Sequence, residues 1–236
     1  MKDSNKREIG ATYYDEIYAD SLPFTNMNIT FKASQKYRVQ KVLQIYTPKH
    51  DDVMVDLGCG WGTFCIVFAP LCKEITGLDF SKKSIALCKR LIKNYGYKNV
   101  KFVWADAQHT GLKSGAYDAI VSADLFEHLY PQQSERVLDE CRRLLRKGGK
   151  LIIWTPDPGH IFEILKNNNI LLKKNAAHVD YKTMGRLISE LTKRHFIIKK
   201  SYYTESHVPI FRTLERALMI LPIMRRRIAI LAEKTD

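Results

Sequence analysis

Residues 55–63 read Val-Asp-Leu-Gly-Cys-Gly-Trp-Gly-Thr and lie where a short apolar run gives way to a segment with helical spacing. The three glycines are spaced more closely than in the G-x-G-x-x-G fingerprint of dinucleotide-binding proteins. An acidic residue, Asp56, also precedes them. A carboxylate at this place would repel a pyrophosphate but suits a ligand that carries an ammonium group. The stretch therefore predicts a strand, a glycine loop and a helix that cradle a small ligand.

Apolar runs and helical segments alternate on both sides of this stretch. We predict strands at 53–57, 75–79, 100–104, 119–122 and 150–155, and helices at 63–71, 81–95 and 132–146. Ser81 is a good N-cap for the second helix, and Gly148 with Gly149 is expected to end the third. Strands that alternate with helices of this length form a parallel sheet covered on both faces. The sequence thus predicts a doubly wound α/β domain.

Two flanks extend this core. Residues 7–46 are predicted to form one or two helices, with an aromatic face that includes Tyr13 and Tyr14. The C-terminal part is predicted to contain a helix near 180–194, a strand near 195–203, an amphipathic helix at 208–224 and a last strand near 227–233. No linker-like or low-complexity run divides the chain, so we expect one domain.

The composition excludes several classes of protein. Of the 236 residues, 45% are hydrophobic and 27% are charged, which is ordinary for a globular domain and excludes disorder of the whole chain. No apolar stretch reaches the ~20 residues of a spanning helix, and no secretory signal is recognised. The five cysteines form no C-x-x-C pair. We therefore expect reduced thiols and a cytoplasmic protein.

The charge is distributed unevenly. Residues 1–139 carry 18 Lys and Arg against 16 Asp and Glu, a net charge of +2, whereas residues 140–236 carry 20 against 9, a net charge of +11. The total of +13 therefore lies almost entirely in the C-terminal part. Such asymmetry indicates an anionic partner, either nucleic acid or a membrane surface, although a solubilising surface charge explains it as well.

Five motifs in this order resemble those of the class I S-adenosylmethionine-dependent methyltransferases. Residues 56–62 match D-x-G-x-G-x-G, and Asp79 with Phe80 ends the second strand. The others are Ala-Asp-Ala at 105–107, Ala-Asp-Leu-Phe-Glu-His-Leu at 123–129 and Leu-Leu-Arg-Lys-Gly-Gly at 144–149. The resemblance is to the small-molecule and lipid group of type 11, with partial similarity to cyclopropane fatty acid synthases. It implies a mostly parallel seven-stranded sheet of the Rossmann-like methyltransferase kind, with N-terminal helices and a helical insertion before the last strand.

The resemblance also implies S-adenosyl-L-methionine as the cofactor. Asp79 would bind the ribose hydroxyls, Phe80 would lie along the adenine and Asp106 would accept from the adenine amino group. The implied cofactor-binding residues are Asp56, Gly58, Cys59, Gly60, Trp61, Gly62, Asp79, Phe80, Asp106, Ala107, Ala123 and Asp124. The implied division of the domain is a helical lid at 1–46, a cofactor-binding core at 47–157 and substrate-side elements at 158–236.

Methyl transfer needs a general base only if the acceptor loses a proton during attack. His128 and Tyr14 are the candidate catalytic residues, with Tyr13, His160 and His178 as weaker ones. No Asp-Asp-Asn set like that of metal-dependent catechol methyltransferases is evident. We therefore predict no metal.

The acceptor is expected to be a small molecule or a lipid-linked group. Residues 123–126 lack the (N/D)-P-P-(Y/F) run of methyltransferases that act on DNA bases, and nucleic acid is disfavoured. Two alternatives stay open: an RNA methyltransferase that uses the basic C-terminal part, and a non-catalytic cofactor-binding scaffold. Residues 208–227 combine an apolar stripe with arginines, so they either pack in the core or lie on an anionic membrane surface.

Overall fold

The apolar runs form one mixed sheet of seven strands in a computed structural model that describes residues 10–20 and 33–236. The strands are β1 (Val53–Leu57), β2 (Glu74–Asp79), β3 (Val100–Trp104), β4 (Tyr117–Ala123), β5 (Leu145–Pro156), β6 (Phe196–Thr204) and β7 (Arg227–Lys234). Their order is β3-β2-β1-β4-β5-β7-β6, in which β1 to β5 run parallel and β7 runs antiparallel to both neighbours. The predicted α/β fold with a mostly parallel seven-stranded sheet is confirmed.

Helices flank the sheet on both faces. They are α1 (Ala11–Asp20), α2 (Ala33–Ile45), α3 (Thr63–Phe68), α4 (Lys82–Ile92), α5 (Pro131–Leu144), α6 (Ile161–Asn167), α7 (Met184–Lys193) and α8 (Pro209–Ala217). Successive side chains of a strand point to opposite faces, so Met54 packs with α2 and α3 while Val55 packs with α5 and α7. The parts of the predicted N-terminal segment at 7–9 and 21–32 lie outside the described residues.

The order of the strands reverses between β1 and β4. The chain moves outward through β2 and β3 on one side of β1, and through β4 and β5 on the other. Ligands of open α/β sheets bind in the crevice at such a reversal, outside the carboxyl ends of the strands. The glycine loop after β1 and Asp124 after β4 both lie at this edge. Ser81, at the same edge, caps α4 as predicted, because its hydroxyl accepts from Ser84 N–H at 3.0 Å.

The end of α5 differs from the prediction. The helix ends at Leu144, and Leu145 already pairs with Tyr117 of β4, so residues 145–149 belong to β5. Gly148 has a φ of +75°, and a Cβ at Gly149 would meet the Arg146 carbonyl oxygen at 2.9 Å. These glycines therefore serve an irregular start of a strand and do not end the helix.

The amphipathic segment also differs from the single helix predicted at 208–224. Helix α8 ends at Ala217, and only a short 3₁₀ turn at Pro222–Met224 follows. The side chain of α8 that faces the interior is Glu215, which is 2% exposed. The predicted apolar stripe, Phe211, Leu214, Leu218 and Leu221, is 36–47% exposed. The stripe is therefore not buried in the core.

Gly77, in the middle of β2, gives a test of the packing between the sheet and α3. A Cβ there would lie 2.6 Å from Cys65 Sγ and 2.8 Å from the Phe102 ring. We expect Gly77→Ala to lower the free energy of unfolding by about 1–3 kcal/mol, because the core must shift. Gly185→Ala is the control, since no atom lies within 4 Å of its added Cβ in helix α7. The free energy of unfolding of that variant should rise by roughly 0.5–1 kcal/mol. Urea unfolding measures the free energy of unfolding of both variants. Equal changes in the two variants would contradict the tight packing around Gly77.

Candidate active site

The glycine loop after β1 has a backbone that side chains would obstruct. Gly58, Gly60 and Gly62 have φ values of +76°, +49° and +68°, where residues other than glycine are strained. The amides of Gly58 and Cys59 donate to the Leu78 carbonyl at 2.8 and 2.9 Å. A Cβ on Gly58 would also meet Leu125 at 3.1 Å. The loop is therefore fixed against β2 and open toward the crevice.

Asp79 ends β2 beside this loop. Its carboxylate accepts from Gly60 N–H and from Ser81 N–H, each at 2.9 Å. The side chain is buried, and burial raises its pKa while these two hydrogen bonds oppose that shift. A buried acceptor is thereby held at the wall of the crevice, where paired hydroxyl groups of a ligand can reach it.

The crevice is a cavity of about 900 Å³, large enough for a nucleoside-sized ligand. Eight of the residues that the sequence predicted for the site line it: Tyr14, Gly58, Asp79, Phe80, Asp106, Ala107, Asp124 and His128. The structure brings these residues together from α1, from the loops after β1 to β4, and from the turn before α5. Six other predicted residues do not line it: Asp56, Cys59, Gly60, Trp61, Gly62 and Ala123.

Asp56 lies beneath the glycine loop. It is buried at the end of β1 and lies 3.4 Å from Cys65 Sγ. Burial raises the pKa of Asp56 to about 7, although the thiol of Cys65 and the positive charge of Arg38 oppose this shift. Gly62 begins α3, and a Cβ there would meet Cys88 Sγ at 3.1 Å. These two residues support the loop from below.

The far end of the cavity is formed by the loop after β3. Asp106 is exposed and accepts from the backbone N–H of Gln108 at 2.8 Å. Trp104 Nε1 donates to the Phe80 carbonyl at 2.8 Å, which ties this loop to the end of β2. The carboxylate of Asp106 can accept from an amino group of a ligand such as adenine, and an aromatic ring can pack against the base itself.

Asp124 lies between two arginines that the sequence did not single out for the site. Arg38 of α2 and Arg227 of β7 each donate through Nη1 to its carboxylate, at 2.8 and 2.6 Å. Burial alone would raise the pKa of Asp124, but the two guanidinium groups lower it to about 2. Asp124 has a φ of +59°, an uncommon conformation that directs the chain across the end of β4. It is therefore ionised and fully paired.

Tyr14 and His128 meet over the cavity. The Tyr14 ring packs edge-on against Phe80 and His128, with ring centroids 5.1 and 5.7 Å apart, and Tyr13 packs behind it. His128 Nδ1 lies 2.9 Å from the Ala177 carbonyl oxygen, so Nδ1 carries the proton and Nε2 keeps its lone pair. Burial lowers the pKa of His128 and keeps the imidazole neutral.

The two weaker histidine candidates lie in different places. The His178 ring packs on His128 at 4.9 Å, and its Nδ1 lies 2.5 Å from Tyr181 Oη, which donates to Glu163 at 2.9 Å. His160 instead caps α6 and pairs with Glu215 at 3.0 Å, away from the cavity lining. Glu127, His128 and His178 each bring one possible ligand atom within 4.8 Å of the others. These three residues could together hold a metal ion. That the protein binds no metal therefore remains a prediction.

Lys182 fixes the turn that carries His128, and sequence reasoning missed it. Its buried ammonium donates to the carbonyls of Phe126, Leu129 and Asp180 at 2.6, 2.5 and 2.9 Å. Burial lowers the pKa of Lys182 to about 8. No local pattern marks this residue, because the two partners in the His128 turn, Phe126 and Leu129, lie more than fifty positions earlier in the chain.

Glu127, next to His128, provides a test by pH. Burial and the nearby charge of Asp124 raise its pKa from 4.5 to about 8. The native state therefore holds a proton that the unfolded state releases, and this contribution to stability, complete below pH 4.5, is lost as the pH rises through 8. Glu127→Gln keeps a partner for Thr155 but cannot titrate. We expect the stability of the wild type, relative to this variant, to fall between about pH 5 and about pH 8 in urea titrations. A difference in stability between the two proteins that does not change with pH would refute the raised pKa of Glu127.

Comparison with known proteins agrees with this geometry. Residues 55–153 match the sequence model of a methyltransferase domain. The chain is 29% identical over 143 residues to a demethylmenaquinone methyltransferase of Thermotoga maritima, covering 59% of this chain and 58% of that protein. It is also 29% identical over 111 residues to a sphingolipid C9-methyltransferase of Candida albicans, covering 44% of this chain and 22% of that protein. The chain thus spans less than two thirds of the length of either relative.

A solved structure shares the fold. The crystal structure of a SAM-dependent methyltransferase from Archaeoglobus fulgidus superposes with a TM-score of 0.66 at 18% identity, over 85% of this chain and 95% of that one. The matched domain holds the glycine loop, Asp79, Asp106 and Asp124, which are the parts of the cavity described above. The methyltransferase domain matched at residues 55–153 thus agrees with the resemblance of the sequence motifs to the class I S-adenosylmethionine-dependent methyltransferases.

Proposed function

We propose that this protein transfers a methyl group from S-adenosyl-L-methionine to a small-molecule or lipid-linked acceptor (EC 2.1.1.-). The observation that carries the proposal is the buried carboxylate of Asp79 beside an open glycine loop, at the wall of a 900 Å³ cavity that also contains His128. The two relatives described above support this acceptor class, since their names refer to a sphingolipid and to demethylmenaquinone.

The residues present fit the cofactor. Asp79 would accept from the two ribose hydroxyls, and Asp106 with the Ala107 backbone would hold the adenine next to Phe80. The positive φ values at Gly58 and Gly60 leave room for the methionine part to approach the backbone. Asp56 would act from beneath the loop, where its charge favours an ammonium group above. Asp124 would form part of the wall, and Cys59, Trp61, Gly62 and Ala123 would support it from behind through packing.

When bound, the cofactor supplies an electrophilic methyl group on a sulfonium. The residues of this chain would then align the acceptor and exclude water. The neutral His128, with a free lone pair at Nε2, would take a proton from the acceptor. Burial raises the pKa of Tyr14 well above 10, so its hydroxyl would stay protonated and orient the acceptor as a hydrogen-bond donor.

The N-terminal segment at 1–46 would act as a lid over the core at 47–157. Two contacts support this in the described residues. Asp15 of α1 lies 2.5 Å from Ser81 Oγ, and Tyr14 packs on Phe80 at the cavity mouth. The elements at 158–236 would form the acceptor side, because the turn that carries His128 is fixed by Lys182 and Ala177.

Two alternatives compete with this proposal. An RNA methyltransferase and a cofactor-binding scaffold would both use the same cavity, but a scaffold has no use for the neutral His128 beside it, and the names of the two relatives above refer to a lipid and a quinone precursor. A screen with methyl-labelled cofactor against lipid extract, quinols and RNA separates all three. Label in the lipid or quinol fraction supports the proposal, whereas label in RNA, or cofactor binding without transfer to any fraction, opposes it.

Replacing Asp79 tests the cofactor site. Asp79→Ala removes the acceptor for two hydroxyls, and hydrogen bonds to a charged group contribute roughly 1.5–3 kcal/mol each. We expect the affinity for S-adenosylmethionine to fall at least about tenfold in calorimetric titration. Asp51→Ala is the matched control, since this exposed carboxylate precedes β1 at the opposite edge of the sheet. Equal affinities in the two variants would reject the assignment of Asp79.

We further propose that the segment around α8 rests on an anionic membrane surface. Ile210 and Ile220 are 83% and 81% exposed, and the exposed stripe of α8 continues the same apolar surface. Phe162 of α6 packs on Phe211 at 5.4 Å, and α6 leads to a second exposed group at 170–172, where Leu171 is 94% exposed. Contiguous apolar surface of this kind marks interaction sites. No helix in the described ranges is long and apolar enough to span a membrane.

Arg225, Arg226 and Arg227 differ from the membrane alternative given for residues 208–227, because their side chains are engaged within the protein. Arg226 and Arg227 point inward and pair with Glu163 and Asp124 at 2.8 and 2.6 Å. Arg225 stacks on the Tyr203 ring at 4.6 Å. The exposed cations near the apolar surface are Lys173, Lys174 and Arg216. Each basic residue close to such a membrane contributes roughly 1 kcal/mol.

Vesicle co-sedimentation tests the membrane surface. The double variant Ile210→Ser with Ile220→Ser should bind vesicles of phosphatidylglycerol and phosphatidylcholine at least about tenfold more weakly than the wild type, since burying an isoleucine contributes roughly 1.5–3 kcal/mol. Ile197→Ser, also exposed but on the edge strand β6, is the control. High salt should weaken the wild type through screening. Binding that ignores lipid charge and salt, or no binding, would contradict this proposal.

A further inference from the structure

A second, smaller cavity lies on the other side of Asp124. It has a volume of about 190 Å³ and lies between α2, the ends of β4 and β6, and the start of β7. We call it the arginine cavity. Its lining includes Tyr37, Arg38, Asp124, Ser206, Arg226 and Arg227. Asp124 lines the larger cavity as well, so this residue borders both spaces.

The arginine cavity carries an excess of positive charge. Three guanidinium groups line it, together with the carboxylates of Asp124 and Glu205. Glu205 is paired from behind by Lys41 at 3.0 Å and by Arg216 at 2.6 Å. Glu163, the partner of Arg226, is also paired with Lys166. Arg212 also lies over the Tyr37 ring, and Glu215 accepts from Ser206 N–H. Among the described residues, seven cationic groups and four carboxylates therefore lie in or behind the wall of the cavity, and the excess favours an anion.

Two hydrogen-bond donors at this cavity are unused. Arg38 Nε and Ser206 Oγ are buried and have no hydrogen-bond partner within the described residues. Ser206 as a whole is only 5% exposed. Native proteins rarely leave buried donors unpaired. A guanidinium has five N–H donors in a planar fork, which matches the oxygens of a carboxylate or a phosphate.

Size and position separate this cavity from the cofactor site. A volume of 190 Å³ falls below the ~300–1,000 Å³ of pockets that enclose a whole ligand, so it suits one group of a larger molecule. One wall, Asp124, is shared with the cavity that would hold the cofactor. His207 on another wall leads directly into α8 and its exposed apolar surface. A ligand that extends from the membrane surface toward the cofactor would pass through this space.

We propose that the arginine cavity binds the anionic group, a phosphate or a carboxylate, of the methyl acceptor. Arg227 and Arg38 would donate from two sides and Ser206 Oγ from the third. This inference rests on the proposed function, because it names the chemistry of the acceptor. It restricts the acceptor to molecules whose anionic group can occupy the arginine cavity while the methylated atom reaches the larger cavity.

The test uses the full chain saturated with S-adenosylhomocysteine, so that any site for the cofactor carboxylate is filled. Inorganic phosphate, acetate and the short-chain lipid dihexanoyl phosphatidic acid are titrated separately by calorimetry. We expect phosphate or acetate to bind one site per chain. Tighter binding of the short-chain lipid identifies a lipid headgroup as the source, whereas equal binding of lipid and phosphate identifies a soluble acceptor.

Two variants localise the site. Arg227→Lys keeps the charge opposite Asp124 but loses the fork, and should weaken phosphate binding about tenfold. Ser206→Ala removes one neutral donor, should fold normally and should weaken binding about threefold. Arg146→Lys is the matched control, because Arg146 pairs with Asp118 at the opposite edge of the sheet.

The outcomes separate this inference from the proposed function. Failure of S-adenosylhomocysteine to bind would reject the function itself. Saturation with S-adenosylhomocysteine followed by no phosphate or acetate binding overturns only the arginine cavity. The same holds if phosphate binds the free protein and is displaced by S-adenosylhomocysteine, since the cavity would then serve the cofactor carboxylate. Equal phosphate binding by Arg227→Lys, Ser206→Ala and the control Arg146→Lys would also overturn the arginine cavity.

Discussion

The carboxylate of Asp124, held between Arg38 and Arg227, is the interaction on which the arrangement of the functional edge depends. It joins α2 near the start of the chain to β4 in the middle and to β7 at the end. A largely buried carboxylate is costly unless cations pair with it, and removal of one partner leaves an uncompensated charge. Because two cations from distant segments meet one anion, α2 and β7 are fixed beside the carboxyl ends of the parallel strands.

This edge of the sheet collects the candidate cofactor-binding residues. The parallel direction of β1 to β4 brings the glycine loop, Asp79, the loop at 105–107 and Asp124 to one crevice. Antiparallel β7 begins at the same edge, which is how Arg226 and Arg227 reach it. The exposed apolar surface of α8 lies next to this edge, because Glu215 at its base pairs with His160. Cofactor, acceptor and membrane would therefore meet within one side of the molecule.

Local features were predictable from the sequence, and distant pairings were not. The glycine spacing, the acidic end of β2 and the Ser81 cap all follow from neighbouring residues, and the structure places them as expected for a doubly wound sheet. The partners of Asp124 lie 86 and 103 positions away, so no periodicity reveals them. The boundary of α5 was wrong because pairing of Leu145 with Tyr117 outweighs the glycine signal. Helix α8 was predicted too long, and its buried Glu215 could not be foreseen from an apolar pattern.

The central claim is that the cofactor occupies the crevice between the glycine loop, β2 and β3. Hydrogen–deuterium exchange of the full chain, with and without S-adenosylhomocysteine, tests this most directly. The account predicts added protection in peptides that cover 56–62, 79–81 and 105–108, and no change in peptides from the opposite edge of the sheet, such as 49–53. Protection confined to other segments, or no protection at saturating S-adenosylhomocysteine, would contradict it.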